Sequence, residues 1–109
     1  MNLYQEARTI AQEAINEAIK YNDGCEHAMR EHVFQSCDGH EIAIYYGKAI
    51  DFCATHDTDK GEQYLEDIGG IAQPGDSFGV IACRIAFATL LCECEEALTE
   101  LLSEMEAAA

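Results

Sequence analysis

The chain has 109 residues, 49% of them hydrophobic, with 21 acidic against 6 basic side chains and a formal net charge of −15. That apolar content excludes a disordered polymer, the length fits a single domain (1–109) with a modest core, and the charge repels nucleic acid and anionic membrane while attracting basic surfaces. The longest apolar run carries Arg84 and is too short to span a membrane, and no basic stretch precedes an apolar one at the N-terminus. An intracellular, cytoplasmic protein with six reduced cysteines is the expectation.

In chain order, Asn2 to Lys20 predicts a first helix. Leu3, Ala7, Ile10, Ala14 and Ala18, flanked by Ala11 and Ile15, form a narrow stripe of small residues on one face. Asn22-Asp23-Gly24 stops it. Cys25 to Phe34 predicts a short helix with Met29 and Val33 on one side, and Asp38-Gly39 marks a turn. His40 to Ala54 reads two ways. Ile42, Ile44 and Tyr46 alternate as in a strand, whereas Ile42, Tyr45, Tyr46, Ala49, Ile50 and Cys53 share a helical face; the helix is preferred. Asp59 with Glu62 looks like a capping box that opens a helix to Asp67, closed by Gly69-Gly70. A loop to Gly75 carries the only proline, Pro74. Asp76 or Ser77 then caps a long helix over Asp76–Glu106.

That last helix organises the chain. Its first half, from Phe78 to Leu91, is mostly apolar with Arg84 as its one charge, and is expected to be buried on most sides. In its second half Phe87, Leu91, Cys94, Leu98, Leu101 and Met105 recur at steps of three and four on one stripe. Glu93, Glu96, Glu100 and Glu104 take another face. The fold class follows: all-α, a single-domain bundle of four or five helices around a long C-terminal helix.

Several motifs suggest chemistry and fail on spacing. Gly75-Asp76-Ser77-Phe78-Gly79 matches G-x-S-x-G, but a proline loop precedes it and no histidine follows Ser77, so a helix cap between glycines is the better reading. Cys37-x-x-His40 and Cys53-x-x-His56 repeat one spacing, with Cys25 and His27 nearby. A helix between the pairs would hold them roughly 18 Å apart, too far to share a zinc ion. Cys92 and Cys94 face different ways on a helix. Asp57-x-Asp59-x-Gly61 places its glycine one position early for a calcium loop and ends on Ile68 where a glutamate belongs. No metal or cofactor is therefore expected. Arg84, in apolar surroundings, calls for a carboxylate partner, with Asp38, Asp51 and Asp67 as candidates.

The block Phe34-Gln35-Ser36-Cys37-Asp38-Gly39-His40-Glu41-Ile42-Ala43-Ile44-Tyr45-Tyr46-Gly47-Lys48-Ala49 resembles one found in small acidic proteins of tailed bacteriophages and prophages, a family without an assigned activity. Their pattern is Val-Asp-Gly-His/Ser-Glu-Trp-Val-Ile-Tyr; here Cys37 replaces the valine and Ile42-Ala43 the Trp-Val. The resemblance implies a phage or mobile-element protein acting inside a bacterium and transfers no catalytic residue.

Joined to the charge, that context leads to a non-enzymatic inhibitor of a bacterial defence system, of anti-CRISPR or anti-restriction type. Its partner would be a defence nuclease or CRISPR effector subunit with a basic nucleic-acid-binding groove, with no direct nucleic-acid or membrane contact. Carboxylates one helical turn apart, about 5–6 Å, can stand in for successive phosphates. Glu93, Glu96, Glu100 and Glu104, with Glu13 and Glu17 on the first helix, are the candidate partner-binding residues. Reversing the α-helical set should leave the fold intact, because it relieves self-repulsion. A homodimer is compatible with this reading. The alternatives are a small metal-binding or catalytic regulator using His32, His40 and the cysteines, with Glu31 or Glu41 beside the histidines, and a phage interaction protein with another host target.

Overall fold

Apolar residues spaced three and four apart fold as helices, joined by turns and loops, within residues 3–38 and 46–108, which are those described by a computed structural model. Among them are five helices and no strand: α1 (Leu3–Tyr21), α2 (Glu26–Asp38), α3 (Tyr46–Thr55), α4 (Asp59–Asp67) and α5 (Phe78–Ala108). The fold is all-α with a long C-terminal helix packing against the others. It divides into two compact units, one made of Met1–Ser36 with Glu93–Ala109, the other of Cys37–Cys92. α5 contributes its beginning to the second unit and its end to the first.

In the first unit the small-residue stripe of α1 is the core face. Ala7, Ala11, Ala14, Ile15 and Ala18 are almost wholly buried, as are Met29 and Val33 of α2 and Cys94, Ala97 and Leu98 of α5. Alanines at these positions let helix axes approach closely. The fully covered Ile15, Val33 and Leu98 each contribute about 1.5–3 kcal/mol. α1 stops as its sequence dictates: Asp23 and Gly24 take positive φ (54° and 76°), and the Gly24 N–H donates to the Ala18 carbonyl at 2.9 Å.

In the second unit, Ala49 and Phe52 of α3, Leu65 of α4, and Ala86, Ala88, Leu90 and Leu91 of α5 are buried. α4 ends in a Schellman motif: the Gly70 N–H donates to Leu65 O (2.8 Å) and the Gly69 N–H to Glu66 O (3.0 Å), with Gly69 at φ 69°. Ser77 caps α5, its hydroxyl accepting from the Val80 N–H at 3.3 Å.

Several expectations need correction. Burial of α5 does not begin at its start, because Phe78 is 87% exposed and the nearly all-round burial begins at Ala86. Phe87 is half-buried and Met105 is exposed, so the α5 stripe is tight only from Leu91 to Leu101. On α3, Ala49 is buried as expected and Cys53 is half-buried, but Ile50 points outward and Phe52 inward, which turns the core face partly away from the expected one. The cap of α4 is Thr58 rather than Asp59; its hydroxyl donates to the Glu62 carboxylate (3.0 Å), while the Asp59 N–H donates to Asp57 Oδ1. α2 runs four residues beyond Phe34. The strand-or-helix choice over Ile42–Tyr45 lies outside the described residues, as does most of the Asp38–Tyr46 block; Tyr46 begins α3.

Arg84 has its carboxylate, and it is Asp76, not Asp38, Asp51 or Asp67. A long side chain two turns into α5 reaches back to the residue before the cap. There it donates to both Asp76 oxygens and to the Ile71 carbonyl (3.4 Å). Asp76 also accepts from the Gln73 N–H at 2.7 Å. The cluster ties the 68–77 connection to the helix it precedes.

Candidate functional site

The acidic face lies in the first unit. At about 100° per residue, Glu93, Glu100 and Glu104 fall within about 40° of arc on α5, with Glu96 about 60° from Glu93. Glu96, Glu100 and Glu104 are exposed and Glu93 is half-buried. The structure adds to this row a guanidinium from α1. Arg8 Nη1 donates to Glu100 Oε2 at 3.3 Å, and Nη2 to Glu104 Oε2 at 3.1 Å. Tyr4 completes the cluster: its ring lies 5.7 Å from the Arg8 carbon, and its hydroxyl accepts from Arg8 (3.2 Å) and donates to Glu100 (3.4 Å). Hydrogen bonds to Glu104 and then Tyr4 push the Arg8 pKa further up, so its guanidinium stays charged at any working pH.

A second clamp repeats the arrangement. Arg30 of α2 bonds Glu95 of α5 and, one turn back on its own helix, Glu26 at 2.8 Å. Its pKa is raised chiefly by the Glu26 hydrogen bond. In both clamps one cation serves two carboxylates, so each leaves a surplus negative charge with its oxygens held in place. With Arg84 on Asp76, all three arginines of the chain are engaged by carboxylates.

Glu13 and Glu17 are exposed on α1, but about 140° and 180° around that helix from Arg8, which faces α5. They do not extend the Glu93–Glu104 row into one surface. Arg8 and Arg30 escaped sequence reading because their partners lie up to 96 residues away; only the Tyr4–Arg8 and Glu26–Arg30 spacings of four could have drawn attention to them.

The other candidates are dispersed. His32 is half-buried beside a shallow polar hollow of about 210 Å³ lined by Asn22, Ala28, Glu31, His32 and Gln35, with no Ser, Thr or Cys among these. His40 and Glu41 lie outside the described residues, and with them the Cys37–His40 spacing. Cys53 bonds weakly to the Ala82 carbonyl (3.6 Å); burial, then Glu62 and Cys83, pushes its thiol pKa up, and burial does the same to Cys83. Such thiols are poorer nucleophiles and metal ligands than exposed ones. Among the described residues no group of three or more His, Cys, Asp or Glu is arranged to hold a metal, and no helix is long and apolar enough to cross a membrane.

Comparison of the chain with family models, with curated proteins and with solved structures finds no match.

Proposed function

We propose that the chain acts by binding: a phage-encoded, non-enzymatic inhibitor that occupies the basic nucleic-acid-binding surface of a bacterial defence protein, such as a defence nuclease or a CRISPR effector subunit. The observation that carries this is the clamp in which Arg8 of α1 holds Glu100 and Glu104 of α5. Exposed glutamates ordinarily lose rotamer entropy when they engage a partner. Here Glu100 and Glu104 are already held, and their surplus charge faces solvent. Glu93 and Glu96 continue the row. A fixed line of carboxylates can take Lys and Arg side chains from a groove built for phosphates, with the same release of counterions and the same steep salt dependence. The resemblance of the Phe34–Ala49 block supplies the biological setting.

The clamp changes how the reading must be tested. Reversing all four glutamates to lysine would set cations at positions 100 and 104 against Arg8 and damage the fold. The informative variants are Glu93→Lys with Glu96→Lys, and separately Glu13→Lys with Glu17→Lys. Bacteria carrying a defined CRISPR or restriction system and making the wild-type chain should plate sensitive phage more efficiently. The Glu93/Glu96 reversal, shown to be folded by circular dichroism, should lose that effect, because like charges then meet in the groove. Wild-type protection of phage against none of a panel of such systems would overturn the proposal. So would full potency of the folded Glu93/Glu96 variant.

A further inference from the structure

A groove of about 400 Å³ opens in the first unit, on a different surface from the glutamate row. It is lined by Ile19 in the last turn of α1, Met29 of α2, and Leu102 and Met105 near the end of α5, with Glu26 and Glu106 at its rim. Leu102, Met105 and Glu106 lie about 120–220° around α5 from Glu93, so the acidic face and the groove are separate. Ile19 is 54% exposed and Met105 45%, both large apolar side chains left in water beside a concavity. The volume is in the range of ligand-holding clefts. Two of the four apolar walls are methionines, whose unbranched, polarisable side chains repack around differently shaped guests.

The electrostatics select the guest. The lining contains two carboxylates and no basic side chain. The last turn of α5, which holds no basic residue, borders the groove, and helix C-termini carry partial negative charge; the last turn of α1 borders it too but holds Lys20. The one N-terminal turn present, that of α2, is offset by Glu26, itself held by Arg30. A second copy of this chain, at −15, would bring a like-charged rim onto this one.

We propose that this groove docks a lysine- or arginine-rich amphipathic helix of a partner protein, burying one or two of its apolar side chains between Ile19, Met29, Leu102 and Met105 while its cations face Glu26 and Glu106. This is the helix-in-groove mode of recognition, and it does not depend on what the glutamate row binds.

The test uses the full chain and three short helical peptides: leucine–lysine amphipathic, leucine–glutamate amphipathic, and serine–lysine. Only the leucine–lysine peptide should bind saturably in titration calorimetry, moving the Met29 and Met105 methyl resonances. Met105→Glu and Ile19→Glu make the decisive variants, since both sites are exposed enough to leave the fold intact. Each adds negative charge, so attraction by charge alone would tighten binding, whereas an apolar anchor predicts a loss of tenfold or more. Equal binding of the serine–lysine peptide, or unchanged or tighter binding by the variants, would overturn the proposal. So would a concentration-dependent dimer in sedimentation that Met105→Glu abolishes, because the groove would then belong to a second copy.

Discussion

At Gly61 the absence of a side chain sets how closely α4 approaches α5. A β-carbon there would come within 2.2 Å of Thr89 Oγ1, 2.6 Å of its backbone nitrogen and 2.8 Å of its Cα. Thr89 is 1% exposed, and its hydroxyl finds no hydrogen-bond partner among the described residues, a cost accepted where Gly61 meets it. Gly61→Ala should therefore destabilise by about 1–3 kcal/mol, as overpacking does, measured by urea unfolding. Trimming the neighbour should not help, because two of the three clashes are with main chain. A Gly61→Ala/Thr89→Ala double variant as stable as wild type would show that the main chain at residue 89 does not limit the approach.

At the scale of elements, the helix boundaries rest on chemistry within a few residues, and that is why most of them could be read beforehand. Asp23-Gly24, Gly69-Gly70 and Ser77 each act through bonds to residues three to six positions away. What could not be read depends on rotation or on distance. The α3 core face turns on whether Ile50 or Phe52 points inward, and both fit a helical repeat. The arginine clamps join residues 65 to 96 apart, for which one sequence offers no signal. Asp76–Arg84 is legible in the sequence: eight residues, about two helical turns, separate them, closer along the chain than Asp38, Asp51 or Asp67. Its behaviour with pH follows from the bond. Arg84, and then the Gln73 N–H, hold the Asp76 carboxyl below its ordinary 3.8, so the folded chain binds fewer protons there than the unfolded one. The resulting stabilisation is present above the ordinary carboxyl range and is lost as pH falls through and below it. Asp76→Asn should lower the melting temperature at neutral pH and bring the difference from wild type toward zero in acid. A difference that stays constant with pH would assign the effect to packing alone.

For the molecule as a whole, α5 is the element that both units need. Leu90 is buried in the second and Leu98 in the first, at 1% and 0% exposure, so truncating either to alanine should cost about 2–5 kcal/mol. Because α5 passes from one unit to the other without interruption, each variant should unfold in a single transition, detected identically by circular dichroism and by tyrosine fluorescence. Two separated transitions in the Leu90→Ala protein would mean that the units melt independently.

The order of the units along the chain has a consequence for synthesis. The second unit, Cys37–Cys92, interrupts the first, whose remaining portion begins at Glu93. On a ribosome adding about 5–20 residues per second, α1 and α2 emerge several seconds before Cys94, Leu98 and Leu101 arrive to share their core. During that interval the Ala7–Ala18 stripe and Val33 have no α5 to pack against, and the second unit can be completed first. The part of the chain made earliest is thus the part that matures last, and its carboxylate clamps close only when residues 95 to 104 have joined Arg8 and Arg30.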